Sequence, residues 1–220
     1  MLGKKSIGRV YIEVKDKNGN LIDKRVEYIH SYEHQWAALL CNMMQQLAYY
    51  GMVTPDNRNL SSVADTTPGN IWYVSIVGKP VNTPVWSIDE KLAKGFGIKL
   101  GYGDNQFSVT DTNLLQQISI DKLVPQDMNE PEIKDNYPNT GQVTIVLSRN
   151  FINQSGSSLK FNQVGLIAYI MVYKVNNENN NITIDGGAGG TIEVIFDKLS
   201  QDVEVPDSAT VTVTMELTFN

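Results

Sequence analysis

The chain has 220 residues, 41% of them hydrophobic, so it can bury a sizeable core, and wholesale disorder is excluded. Its net charge of -6 argues against sequence-independent binding of nucleic acid, which needs clustered lysine and arginine. The single cysteine, Cys41, excludes an intrachain disulfide and suits assembly in a reducing cytoplasm. No apolar run approaches the roughly 20 residues of a membrane helix, and the first residues lack the apolar stretch of a signal peptide.

The first predicted elements are a β-hairpin and a long helix. Residues 7–14 and 21–29 favour two strands, and Asn18-Gly19 between them tolerates the positive φ angles of a tight hairpin. A helix is predicted over residues 31–50, where Ser31 is the N-cap. Its apolar residues form one stripe at three- and four-residue spacing: Trp36, Leu39, Leu40, Met43, Leu47 and Tyr50. This stripe must pack against a sheet or another subunit.

Proline, glycine and polar residues divide the middle of the chain into short elements. Residues 71–77 and 97–102 are predicted to be strands, and residues 113–118 a helical turn. Residues 54–70 favour a loop. Residues 124–138 are polar, contain three prolines and favour a long excursion over the surface.

The last third of the chain is rich in strand patterns. Residues 143–151 and 161–175 are predicted to be strands joined by a turn at residues 153–156. Within the second strand, residues 164–173 are apolar throughout, which indicates a central strand buried on both faces. Polar and glycine-rich residues at 176–181 and 186–190 predict two hairpin tips.

The final segment, residues 210–219, alternates strictly between apolar and polar side chains. This pattern predicts a strand with one buried face. We expect its exposed edge to be protected or completed by another copy of the chain. The expected fold is therefore mainly β: one domain over residues 1–220, a jelly-roll-like β-sandwich with the helix of residues 31–50 packed against it.

One short motif suggests a metal site. His30-Ser31-Tyr32-Glu33-His34 matches the H-x-x-E-H string of inverted zinc peptidases. That chemistry needs two imidazoles one turn apart on a formed helix, together with a further ligand. Here the predicted N-cap, Ser31, falls inside the string, and the chain has only two histidines. The start of a helix is the favoured interpretation.

Three other patterns have weak functional interpretations. Asp16, Asn18, Asn20 and Glu27 have calcium-loop spacing, but Leu21 stands where that loop needs glycine. Residues 186–190 lack the Lys-Ser/Thr of a phosphate-binding loop. Trp86 could stack on a sugar, whereas Trp36 and Trp72 are more typical of a core. No pair of carboxylates or triad stands out, so we predict a non-enzymatic protein without catalytic, cofactor-binding or metal-binding residues.

Three phrases carry a resemblance to a known class. Gly97-Ile98-Lys99-Leu100-Gly101-Tyr102-Gly103, followed by residues 109–118, resembles a "G-I-x-x-G-x-G … L … I" segment. Residues 143–166 resemble an "R-x-F-x-N-x-S-G … E-V-G-L" pattern, with Gln163 in place of the acidic residue. Residues 196–219 resemble an "R-D-x-L" phrase followed by an alternating strand, with Phe196 or Lys198 in place of the arginine. Together the phrases resemble virion structural proteins of tailed phages and related prokaryotic viruses.

The resemblance implies a subunit of the tail, neck or capsid surface that self-assembles or docks in a virus particle. Its expected partners are copies of itself and other virion proteins, without nucleic acid or membrane. Its expected location is the virion, assembled in the host cytoplasm. The alternative is a carbohydrate- or receptor-binding module on a particle or cell surface, which would add a glycan receptor as a partner.

Overall fold

A computed structural model describes residues 7–29, 71–75, 81–82, 87–88, 90–104, 115–135, 142–178 and 181–219. The strands are β1 (Gly8–Lys15), β2 (Leu21–Ile29), β3 (Ile71–Ser75), β4 (Val81–Asn82), β5 (Ser87–Ile88), β6 (Gly97–Gly101), β7 (Leu123–Met128), β8 (Glu132–Asp135), β9 (Val143–Asn153), β10 (Leu159–Glu178), β11 (Asn181–Val205) and β12 (Thr210–Phe219). One five-residue helix, α1 (Glu90–Lys94), lies between β5 and β6.

Two antiparallel sheets dominate the structure, which confirms the prediction of a mainly β protein. Sheet A has the order β2-β1-β12-β9-β7, and β8 also pairs with β9. Sheet B has the order β11-β10-β3, and β6 also pairs with β10. A small ribbon joins β4 to β5. Strands β9 and β12 connect sheet A to β10 and β11 of sheet B, so two chain corners lie between the sheets.

One hydrophobic core draws side chains from both sheets. Val10, Leu147 and Val213 enter it from sheet A, and Leu166 and Val194 from sheet B. These side chains are apolar and almost fully removed from water, which is the main favourable contribution to folding.

Strand β10 is buried on both of its faces. Its residues 164–170 are all buried, as predicted from their apolar run. Ile167 and Tyr169 lie in a second cluster with Ala93 and Phe96, in which the rings of Phe96 and Tyr169 stack 5.5 Å apart. Helix α1 and Phe96, two residues after its end, therefore cover the face of β10 that lies opposite the main core.

The predicted N-terminal hairpin is confirmed, although its turn differs in detail. Strands β1 and β2 pair antiparallel, and the amide of Gly19 donates to the carbonyl of Asp16 over 3.0 Å. In this turn, Gly19 has a positive φ of 87°, whereas the φ of Asn18 is not positive. The Asp16 carboxylate accepts from the amides of Asn18 and Asn20, and hydrogen bonds, first from the Asn20 side chain, lower the pKa of Asp16.

The helical predictions have two outcomes. The long helix of residues 31–50 and the loop of residues 54–70 lie outside the described residues; within those residues, α1 is the only helix. The helical turn of residues 113–118 is wrong in its described part. Residues 115–118 run extended beside β6, with the amide of Ile118 donating to the carbonyl of Leu100 over 3.0 Å.

Two predicted irregular segments are strands instead. In the described part of residues 124–138, β7 and β8 both pair with β9, and Met128 is buried rather than on a surface excursion. Residues 186–190 are not a hairpin tip, because they belong to β11, where residues 188–190 pair with β10 and residues 186–187 lie at a bulge. In both cases, long-range pairing overrides proline- or glycine-rich composition.

The alternation of the last segment is confirmed, but its predicted role at an edge is wrong. In β12, Val211, Val213, Met215 and Leu217 are buried and the polar residues between them are half-buried. However, β12 is a central strand that pairs with β1 on one side and β9 on the other. Both of its edges are therefore satisfied within the same chain.

Candidate functional site

The weak sequence motifs fall partly inside and partly outside the described part of the chain. The zinc-like string at residues 30–34, Trp36 and Trp86 lie outside the described residues. Trp72 lies in β3, which pairs with β10. Within the described part of the chain, no group of three His, Cys, Asp or Glu residues could hold a metal.

The calcium-like spacing is explained by the hairpin. Both oxygens of the Asp16 carboxylate accept hydrogen bonds from the turn, from backbone amides and from the Asn20 side chain. Glu27 lies on β2 and accepts a hydrogen bond from the Ser200 hydroxyl, 2.6 Å away. The four residues of the pattern are therefore divided between a turn and an inter-sheet contact.

The most unusual side chain in the described structure is Arg149 of β9, which is fully buried. Its Nε donates to the carbonyl of Gln126 over 2.7 Å. Its two terminal nitrogens donate to carbonyls of residues before and within β6: Ala93 at 3.4 Å, Phe96, and Ile98 at 3.3 Å. One guanidinium therefore joins β9 to β7, to the end of α1 and to β6.

The surroundings of Arg149 fit a cation that holds backbone in place. Burial lowers the pKa of Arg149 to about 10, with the charge of Asp127 acting in the opposite direction, so the side chain stays charged at neutral pH. The ring of Phe151 lies 5.9 Å from the guanidinium carbon. At Gly97, φ is 85° and a Cβ would overlap the sulfur of Met128. Only glycine allows the chain to pass this closely beside Arg149.

A second buried cation, Lys99, lies next to this network. Its Nζ donates to the carbonyl of Lys94 at the end of α1. Burial, and secondarily the charge of Arg149, lowers the pKa of Lys99 to about 7. The small pocket beside Lys99 is lined by apolar side chains: Leu100, Ile118, Ile120, Leu123, Pro125 and Phe151. Burial beside α1 therefore accounts for most of the low pKa of Lys99, and the one polar residue in Ile98-Lys99-Leu100 is the sequence signal for this buried cation.

The corner between the sheets is organised by Asn153, which is also fully buried. Its side-chain amide donates to the carbonyls of Ser157, Val205 and Pro206 at 2.7, 2.8 and 3.1 Å. Its Oδ1 accepts from the amide and the hydroxyl of Ser155. Asn153 therefore fixes the turn from β9 to β10 and the turn from β11 to β12 at once.

Gln163 stands where the resembling pattern has an acidic residue. Its Oε1 accepts from the amide of Gln116 over 2.8 Å. Nearby on β11, Glu193 Oε2 accepts from the amide of Leu115 over 3.3 Å. These two buried side chains hold the extended segment of residues 115–118 on sheet B. The positive charge of Arg149 is stabilised by backbone carbonyls and has no contact with residue 163 among its hydrogen bonds in the described structure.

The outer face of sheet A is a polar surface linked across its strands. Thr214 and Ser148 share a hydrogen bond of 3.1 Å, and Thr218 and Thr144 one of 3.3 Å. Glu216 accepts from the hydroxyl of Tyr11 and pairs with Lys134, at 2.9 and 3.2 Å. The polar row of β12 is thus satisfied by neighbouring strands of its own chain.

An apolar row interrupts this polar surface at one edge. Strand β2 ends the sheet order, and its exposed large apolar residues are Leu21, Ile22, Val26 and Tyr28, with 48–55% of their surface exposed. The alternate residues of β2 face sheet B, where Arg25 Nη1 donates to the carbonyl of Asp202 over 2.9 Å. In the described structure, the inner face of β2 is therefore bonded to sheet B, and the apolar residues of its outer face are exposed to solvent.

Comparison of the chain with protein families, with curated proteins and with solved structures finds no match. In the part of the chain that the structure describes, no helix is long and apolar enough to cross a membrane. The most distinctive features of the described geometry are thus two buried networks, around Arg149 and Asn153, and the apolar row on the edge strand β2.

Proposed function

We propose that this chain is a non-enzymatic structural subunit of a virus particle that assembles with copies of itself and docks to other virion proteins. Its location in the particle would be the tail, the neck or the capsid surface. We propose further that its two sheets form a jelly-roll-like β-sandwich. The shared core of the sheets and the two corners that cross between them support this architecture.

One observation carries the proposal: the three phrases that resemble virion structural proteins meet in space. The first phrase forms β6, which pairs with β10 of the second phrase. Arg149 of the second phrase binds the carbonyls of Phe96 and Ile98 beside and within the first. The third phrase supplies β11 and β12, which pair with β10 and β9.

The residues of these phrases act on backbone. Arg149 binds four carbonyls and Asn153 binds three. Side chains that rigidify strands and corners produce a stable subunit with fixed surfaces, which is what repeated contacts in an assembly need. This favours a shared scaffold over a shared reaction as the basis of the resemblance.

The test is assembly of the purified chain. Sedimentation velocity from low to high micromolar concentration should show oligomers, and electron microscopy should show rings, tubes or a lattice. A strictly monomeric protein at every concentration would contradict the proposal. Glycan-array binding that is lost on Trp86→Ala would instead favour a carbohydrate-binding module.

A further inference from the structure

We propose that the open edge of β2 is a contact between two copies of this chain, formed by antiparallel pairing of β2 with β2 about a two-fold axis at Lys24. This inference rests on the proposed assembly function and specifies one of its surfaces. Pairing of this kind would join two copies of sheet A into one continuous sheet.

The first argument is the position and composition of β2. It ends the order of sheet A, and in the described structure no strand pairs with its far side. Ile22, Val26 and Tyr28 project from its outer face and are about half exposed. An edge strand with such a row promotes strand addition unless a partner covers it.

The second argument is that the sequence of β2 is complementary to itself in one register. With Lys24 on the axis, Ile22 lies opposite the partner's Val26 on the outer face. On the inner face, Asp23 lies opposite the partner's Arg25, so that the Asp23–Arg25 ion pair of each chain, 2.7 Å long, would join its counterpart in a cluster of four charges. Apolar and opposite-charge cross-strand pairs stabilise antiparallel strands.

Neighbouring registers are disfavoured by charge. An axis at Arg25 would place Asp23 opposite the partner's Glu27, and like charges directly opposite each other are destabilising. In the favoured register the two Lys24 side chains also meet at the axis as like charges. Each is paired with Glu13 of its own β1, 2.7 Å away, and this pairing offsets their repulsion.

Disulfide trapping tests both the edge and the register. In a Cys41→Ser background, Lys24→Cys places two thiols on directly opposed residues, whose Cα separation of about 4.5–5.5 Å suits a disulfide. Tyr28→Cys is the control on the same strand, because its two copies would lie far from the axis. Ile133→Cys, at an exposed apolar site on β8, is the control on the opposite edge of sheet A.

We expect Lys24→Cys to form covalent dimers faster than either control by about tenfold or more. Equal rates for Lys24→Cys and Tyr28→Cys would overturn the register. Faster trapping of Ile133→Cys would overturn the choice of edge.

A charge substitution separates this inference from the assembly function itself. Val26→Lys puts a lysine opposite the partner's Ile22 twice, once on each side of the axis. It should weaken self-association about tenfold or more. Ile133→Lys, the matched change at the other edge, should leave association unchanged. Assembly of Val26→Lys equal to that of the parent would overturn the β2 contact and leave the assembly function standing; a monomeric parent would overturn both.

Discussion

The side-chain amide of Asn153 donates to the carbonyl of Val205, 2.8 Å away, and this bond joins the end of β9 to the end of β11. The same amide reaches Ser157 and Pro206, so one side chain serves both turns between the sheets. The backbone reinforces the joint, since the amide of Asn153 donates to the carbonyl of Ala209 over 2.9 Å. Two corners that are distant in sequence therefore form a single structural unit.

Replacement of Asn153 tests this unit. Asn153→Ala removes the three hydrogen bonds that this amide donates and the two that its Oδ1 accepts at a buried corner, and it should lower the free energy of unfolding by about 2–3 kcal/mol. The matched control is Asn150→Ala on the half-buried outer face, where one bond from Thr212 is lost; it should cost under about 1 kcal/mol. Urea denaturation measures both variants. Equal losses for the two variants would contradict the special role of the corner.

Arg149 should be essential for stability. Arg149→Met removes the donor to four carbonyls, three of them in buried hydrogen bonds, and should lower the free energy of unfolding by about 3–5 kcal/mol. Arg149→Lys should remain destabilised because an ammonium lacks the planar fork that reaches carbonyls on three segments. Arg9→Met is the exposed control and should leave the free energy of unfolding nearly unchanged. An unfolding free energy of Arg149→Lys at the parent's value would refute this assignment.

Because of Lys99, the free energy of unfolding should depend on pH above about pH 7. Burial lowers its folded pKa from 10.5 to about 7, so between these values the unfolded chain binds more protons than the folded chain. Stability should therefore rise with pH across this window, by at most about 1.4 kcal/mol per pH unit. Below about pH 7 the cost of burying the charge is fully present.

The variant Lys99→Met isolates this contribution. Its unfolding free energy, measured in urea from about pH 7 to about pH 9.5, within the window of the lowered pKa, should lose the upward slope of the parent. Lys122→Met, at an exposed lysine, should keep the slope. If Lys99→Met and the parent showed parallel curves, the assignment of the slope to Lys99 would be wrong.

Two glycines with positive φ should respond differently to substitution. A Cβ at Gly19 would meet only open space, so Gly19→Val should cost a conformational penalty of about 1 kcal/mol or more. Gly97→Ala adds overlap with Met128 to the same penalty and should cost more. Thermal unfolding ranks the two. In a double-mutant cycle, Met128→Ala should reduce the cost of Gly97→Ala, and strict additivity would exclude the overlap as its cause.

Local patterns predicted the elements that local physics controls. The hairpin of β1 and β2 follows from alternation and an Asn-Gly turn, and the burial of β12 follows from strict period-two spacing. The burial of β10 followed from its apolar run. In each case, the side chains of one segment carry sufficient information about which face is buried.

Elements that depend on distant partners were not predictable in this way. Residues 186–190 have turn composition, yet they lie within β11, and residues 188–190 pair with β10. Residues 115–118 have a pattern that fits a helical turn as well as the extended path they take beside β6. The Arg149 network joins residues 23–56 positions apart, and no short-range rule reports such contacts.

The place of β12 between β1 and β9 has a consequence for the order of folding. Tyr11 and its hydrogen-bonded partner Glu216 are separated by 205 positions in the sequence. During synthesis, the edges of β1 and β9 that pair with β12 stay unpaired until β12 leaves the ribosome. Such distant pairing slows folding. A nascent chain that stalls before residue 210 would expose two unpaired strand edges, which are prone to aggregation.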